Sequence, residues 1–171
     1  MPYKILRKNI LNPQIFLMEI EAPLIAKKAE PGQFIILRID EHGERVPFTI
    51  ADFDREKGTV TIIVQIVGKT TQDLAQIPEG AELLDFAGPL GMPTPLDGIK
   101  KAAVIGGGLG TAIAYPQAKK LYAMGADVTV IDKNTVEIDC TSIDSYCFGR
   151  VAMNRIKNVI SVFYSKISRI T

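Results

Sequence analysis

Through the first hundred residues, short runs of alternating or β-branched apolar residues recur at close spacing: "YKILRKNI", "IFLMEIE", "QFIILRID", "VPFTIAD", "TVTIIVQIV" and "AELLDFAG". Period-two patterning of this kind predicts strands that bury one face. Between the runs lie "NPQ", "EPGQ", "EHGE", "DREKG" and "PEG", each with Pro, Gly, Asn or Asp where a tight turn needs them. Only "TTQDLAQI" reads as a helix in this stretch. Six short strands joined by tight turns predict a six-stranded antiparallel β-barrel over residues 1–99.

The pattern changes at "GPLGMPTPLDGIK", where three prolines and three glycines in 13 residues suit a crossing between domains. A second, α/β domain is expected over 100–171. In it "KAAVIGG" reads as a buried strand, "GTAIAYPQAKKLYAMG" as a helix and "ADVTVID" as a further strand, which is the order of a βαβ unit. With so few parallel strands, this is a partial Rossmann-like domain. Pro116 falls inside the helical pattern, where it removes a backbone donor, so a kink or a later helix start is expected there.

Charge adds an exclusion. With 20 basic and 19 acidic residues the formal net charge is +1, which gives no electrostatic footprint for nucleic acid or an anionic membrane. No apolar run approaches the roughly 20 residues that span a bilayer, and "MPYKILRKNI" lacks the apolar core of a signal peptide, so a cytoplasmic location is expected. Residues 1–132 hold all ten prolines and 13 of 14 glycines but no serine or cysteine, whereas 133–171 hold five serines and both cysteines. So sharp a break predicts that 133–171 is an atypical tail of different coding history, frameshifted or otherwise altered. Cys140 and Cys147 match neither a CxxC pair nor a disulfide framework.

The glycine run of "AAVIGGGLGTA" sits where the first strand of the βαβ unit feeds its helix. The first amides of a helix have no partner inside it and carry partial positive charge, so anions bind there. Gly106, Gly107, Gly108 and Gly110 lack a β-carbon and let a diphosphate approach the backbone. The same glycines also suit a tight structural turn. Asp132 ends the next strand, where an acid can meet a ribose, and reads equally as a solvated strand-end carboxylate. His42, the single histidine, lies at a hairpin tip without partners for catalysis. Residues 1–132 offer no Ser, Cys and His nucleophile arrangement, which argues against hydrolysis.

Five motifs occur in order: "PGQF" at 31–34, "ERVPFTIAD" at 44–52, "VGKTTQDL" at 67–74, "GPLG" at 88–91 and "GGGLGTA" at 106–112. Over residues 1–132 the chain thereby resembles the ferredoxin reductase-like flavoproteins. It is most similar to the branch with the dihydroorotate dehydrogenase electron-transfer subunit, the small subunit of NADH-dependent ferredoxin:NADP oxidoreductase and the sulfide dehydrogenase subunit. The resemblance implies that the barrel binds FAD and that Arg45, Val46, Pro47, Phe48 and Thr49 run along the flavin. Arg45 would donate to the diphosphate, and Thr49 is the candidate catalytic hydroxyl beside the reactive part of the ring. The widespread form of that motif would place its arginine at Val46 and a tyrosine at Phe48.

By the same resemblance, Gly68, Thr70 and Thr71 meet the FAD phosphates at a helix start, although "GKTTQDL" is also an ordinary threonine-capped start. Gly88 and Gly91 match a turn linking barrel to nucleotide domain. Gly106, Gly107, Gly108 and Gly110 match the NAD(P) pyrophosphate loop, with Thr111 at the helix start. The family also carries a [2Fe-2S] centre, whose four thiolates the two cysteines here do not supply, so no metal ligand is assigned. The function implied is that of an FAD-binding electron-transfer subunit of an NAD(P)H-linked oxidoreductase, with a larger catalytic or electron-accepting subunit as partner. Two alternatives stand beside it: a truncated product that only binds flavin or docks, and a free-standing flavin reductase.

Overall fold

Alternation becomes burial most plainly in "FIILR", where Ile35 and Leu37 are fully buried between half-exposed neighbours. The computed structural model describes residues 3–132. Its first ninety residues form eight strands: β1 (Tyr3–Asn12), β2 (Ile15–Glu21), β3 (Phe34–Arg38), β4 (Val46–Thr49), β5 (Asp52–Asp54), β6 (Thr59–Gln65), β7 (Glu82–Leu83) and β8 (Asp85–Leu90). They make two antiparallel sheets, ordered β5-β6-β2-β1-β7 and β4-β3-β8.

The expected six strands are therefore eight, because two of the runs turn a corner. In "VPFTIAD" the chain leaves β4 and enters β5 of the other sheet. The Ile50 amide donates to the Gln33 carbonyl at 3.1 Å and the Ala51 amide to the Thr61 carbonyl at 2.9 Å, so consecutive residues bond to opposite sheets. In "AELLDFAG" the second corner falls at Leu84, between β7 and β8, whose amide donates to Ile39. A short helix α1 (Pro23–Lys28), begun by proline, joins β2 to β3. The predicted helix is present as α2 (Lys69–Gln76).

One core lies between the sheets, built on Ile5, Phe16, Met18, Ile20, Leu37, Ile62 and Phe86. β2 and β6 are buried on both faces. Phe16, Met18, Val60 and Ile62 enter this core, while Ile15, Leu17 and Ile63 point the other way into a second apolar cluster with Ala51 and Ala112. That outer layer explains why "IFLM" is continuously apolar rather than alternating.

Ala112 belongs to the following unit, β9 (Lys101–Gly106), α3 (Gly110–Ala123) and β10 (Asp127–Asp132), in which β9 and β10 pair in parallel. α3 runs through Pro116 and begins before it, not after. It packs on this pair through Ala118 and Leu121 against Val128, in a cluster that Leu96 of the preceding segment completes. "KAAVIGG" was expected as a buried strand, yet Ile105 is 63% exposed. Among the described residues β9 has only β10 beside it and α3 on one face, so alternate side chains stay open. The expected atypical tail, with Cys140 and Cys147, lies outside the described residues. Among the described residues no helix is long and apolar enough to cross a membrane.

Candidate functional site

A cleft of about 330 Å³ opens where three segments converge. β4 supplies one wall with Val46, Pro47, Phe48 and Thr49. The end of β6 and the start of α2 supply the second with Gln65, Val67 and Thr71, and the start of α3 supplies the third with Leu109, Ala112 and Ile113. Its walls are mainly apolar, and Val67 is 76% exposed at the rim. The three segments are those that carry the motifs at 44–52, 67–74 and 106–112.

The α2 wall is held by its own hydroxyl. Thr71 Oγ1 accepts from the Val67 amide at 2.9 Å and the Gly68 amide at 3.0 Å, and donates to the Gly68 carbonyl at 2.8 Å. This threonine, only 8% exposed, is saturated by the helix start it organises. It shapes the turn and has no donor left to offer. The amides of Lys69 and Thr70, in the first turn, have no acceptor within the helix. The Thr70 hydroxyl reaches Glu44 at a long 3.4 Å. Gly68 has extended backbone at φ −159°, and a β-carbon there would meet nothing within 4 Å. Neither conformation nor packing requires glycine at this position.

At the other end of α2 the Lys8 ammonium donates to the Ala75 and Ile77 carbonyls, both at 2.6 Å. Burial there pulls the Lys8 amine below its ordinary range. A cation on the last carbonyls of a two-turn helix complements its dipole.

The glycine turn divides by role. A β-carbon on Gly106 would stand 2.6 Å from the Thr111 α-carbon, so this glycine lets strand and helix meet. Gly108 has φ +56°, a left-handed conformation that favours glycine. A β-carbon on Gly108 or Gly110 would touch nothing within 4 Å. Thr111, 3% exposed, is packed against Gly106 and faces inward.

Arg45 is placed away from the cleft lining. Its side chain is 64% exposed and its guanidinium bonds Asp85 at 3.0 Å, on the same oxygen that Arg38 reaches at 2.8 Å. The hydrogen bond from Arg45, together with the Arg38 charge, holds the Asp85 carboxyl below its usual range, against a smaller opposing effect of desolvation. Of the expected site residues Val46–Thr49 and Thr71 line the cleft, whereas Gly68 and Thr70 adjoin Thr71 outside the lining, and Gly106, Gly107, Gly108, Gly110 and Thr111 lie in the turn that brings Leu109, Ala112 and Ile113 to it. The structure puts Arg45 on β8 through a pairing 40 residues apart that no local pattern signals. Val67, Leu109 and Ile113 are cleft residues that sequence reasoning missed. Val67 and Leu109 lie within motifs and Ile113 adjoins one, and their apolar character alone does not set them apart from core.

The family model for the oxidoreductase FAD-binding domain matches residues 4–94. A Clostridium beijerinckii protein described as an uncharacterized protein in the adh 3′ region is 52% identical over 136 residues, covering 75% of this chain and 46% of that protein. The dihydroorotate dehydrogenase B (NAD(+)), electron transfer subunit homolog of Thermotoga maritima is 39% identical over 128 residues, 75% of this chain and 45% of its own. A solved structure of the NADH-dependent reduced ferredoxin-NADP oxidoreductase superposes with a TM-score of 0.74 at 38% identity, over 77% of this chain and 48% of that one. Phthalate dioxygenase reductase shares the fold at 21% identity, with a TM-score of 0.65. The chain spans about half the length of the curated relatives it matches.

Proposed function

Because this chain belongs to the oxidoreductase FAD-binding domain family, we propose that it is the flavin-binding electron-transfer component of an NAD(P)H-linked oxidoreductase. The observation that carries this reading is the convergence of β4, the α2 start and the α3 start on one cleft. Its donor set fits FAD. Apolar walls at Phe48, Val67 and Ile113 suit a flat ring, and the unobstructed space at Gly68 with the first amides of α2 suits a diphosphate. FAD, when bound, supplies the chemistry that takes two electrons from a nicotinamide and passes them on singly.

The chain's own contribution is placement. The Thr49 hydroxyl, on the β4 wall, is the polar group offered to the reactive edge of the ring. The α2 amides, ordered by Thr71, hold the phosphates. The open turn at Gly108 and Gly110, with Gly107 between Gly106 and Gly108, takes the diphosphate of NAD(P) at the α3 start. Residues 1–99 form the flavin domain and 100–171 the partial, Rossmann-like nucleotide domain in this reading. A larger electron-accepting subunit is the partner, and the location is cytoplasmic.

A second reading, a flavin-binding or docking module without turnover, is favoured by one observation. Among the described residues β9 and β10 are a single parallel strand pair. Anaerobic addition of NADH, then NADPH, to the FAD-loaded protein separates the two. Bleaching of the flavin supports the first, and a yellow protein under both nucleotides leaves only the second.

A further inference from the structure

α3 meets the antiparallel sheets at two places along its length. At its start, Leu109 and Ala112 pack on Ile15, Leu17 and Ile63. Seven residues beyond Ala112, roughly 10 Å along the axis, two adjacent lysines reach two different elements. Lys119 Nζ donates to Asp52 Oδ1 at 2.7 Å, and Lys120 Nζ donates to Glu30 Oε2 at 2.6 Å. One attachment leaves a helix free to pivot, whereas two separated attachments fix its direction.

Both carboxylates are themselves held. Asp52 Oδ1 also accepts from the Phe53 amide at 2.9 Å, and its side chain is only 19% exposed. Glu30 Oε1 accepts from Arg55 at 2.9 Å, and Arg55 also donates to the Ala29 carbonyl at 2.8 Å. The Lys119 ammonium lies 5.7 Å from the ring centre of Tyr115, one turn earlier on α3. The Tyr115 ring, on the same helix, draws the Lys119 ammonium toward its face and so narrows its positions before Asp52 is met. Lone exposed ion pairs contribute little. This pair is partly covered, preorganised on both sides, and spans 67 and 90 residues of chain.

We propose that Lys119 and Lys120 are positioning residues: their pairs with Asp52 and Glu30 clamp α3 so that its first turn closes the third wall of the cleft. Ile113 and Ala112 sit on that turn, so four charged residues outside the cleft lining set its width. The proposal rests on reading the cleft as the flavin site, and its test keeps the two apart.

The test uses the full-length chain and a variant with both Lys119→Met and Lys120→Met. Amide exchange over residues 110–123 is measured without FAD, and FAD affinity and iodide quenching of bound flavin are measured with it. The clamp predicts faster exchange in α3 of the variant, with β2 and β6 unchanged, FAD binding weakened about fivefold to tenfold and quenching at least doubled. In the unaltered protein, raising salt from about 0.05 M to about 0.5 M moves the same readouts in the same direction, because screening weakens partly exposed pairs. The reversed pair Lys119→Glu with Asp52→Lys restores part of the protection. Identical α3 exchange in variant and parent, with no salt effect on the parent, overturns the clamp. Failure of the parent to hold FAD overturns the flavin reading alone, since the exchange measurement stands without it. If the double variant does not fold, the parent's salt series and Asp52→Asn decide on the same criteria.

Discussion

Alanine at two glycines of one turn is predicted to act with opposite signs. In Gly106→Ala the new methyl would lie 2.6 Å from Thr111 Cα, 2.9 Å from its Oγ1 and 3.0 Å from its nitrogen. All three atoms belong to a residue that is 3% exposed at the helix start, so no flexible side chain can swing aside. β9 and α3 must separate, and overpacking of this kind costs about 1–3 kcal/mol. Gly110 opens α3, and a methyl there meets nothing within 4 Å. Replacing glycine by alanine at a compatible helical position stabilises by about 0.4–1 kcal/mol. Urea unfolding followed by circular dichroism, with amide exchange over 101–123, reads both. The expected pattern is a lower midpoint for Gly106→Ala and an equal or higher one for Gly110→Ala. If Gly110 admits a diphosphate, Gly110→Ala also binds NADH less tightly despite its stability. A Gly106→Ala protein as stable as its parent, or a destabilised Gly110→Ala protein, refutes the division of this turn into a packing glycine and an open one.

Thr71→Val removes the group that satisfies two amides and one carbonyl at the α2 start. It should cost about 1–2 kcal/mol of stability in a denaturant titration and weaken FAD binding measured by flavin fluorescence. Thr49→Val deletes the polar atom of the β4 wall while keeping its shape; a lost hydrogen bond of about 1 kcal/mol weakens FAD binding roughly fivefold, with the urea midpoint little changed. The Glu30 carboxyl titrates below its ordinary 4.5, chiefly through the Lys120 hydrogen bond, with burial opposing and Arg55 assisting. A folded value below the unfolded one means that its stabilisation is complete above about pH 4.5 and fades as pH falls through the folded value. Amide exchange in α3, corrected for intrinsic rates, should therefore accelerate over that acid range, and Lys120→Met should remove much of the pH dependence.

The antiparallel strands and the βαβ order were legible because burial on one face leaves a period in the sequence, as in β3, and because Gly and Pro mark the turns. The corners at Ile50–Ala51 and Leu84 were not. An apolar run does not record that adjacent amides bond to different sheets. α1 is too short to show a helical period, and Pro23 resembles a turn signal. The glycine turn at 106–110 was readable from local backbone chemistry, whereas 46–49 and 68–71 stood out only through the family resemblance, and the cleft was not readable at all, since it depends on how α3 is laid over β2 and β6. The pairing of Arg45 with Asp85 and the two lysine pairs of α3 join residues 40 to 90 positions apart. Their partners look like ordinary surface charges until the chain is folded.

FAD in the cleft among β4, α2 and α3 is what gives this chain its proposed electron-transfer role. The visible spectrum of the full-length protein, after incubation with FAD and desalting, tests it most directly. The expected result is a retained flavin spectrum near one FAD per chain, with retention lowered by Thr71→Val. A colourless protein that is folded by circular dichroism would contradict it.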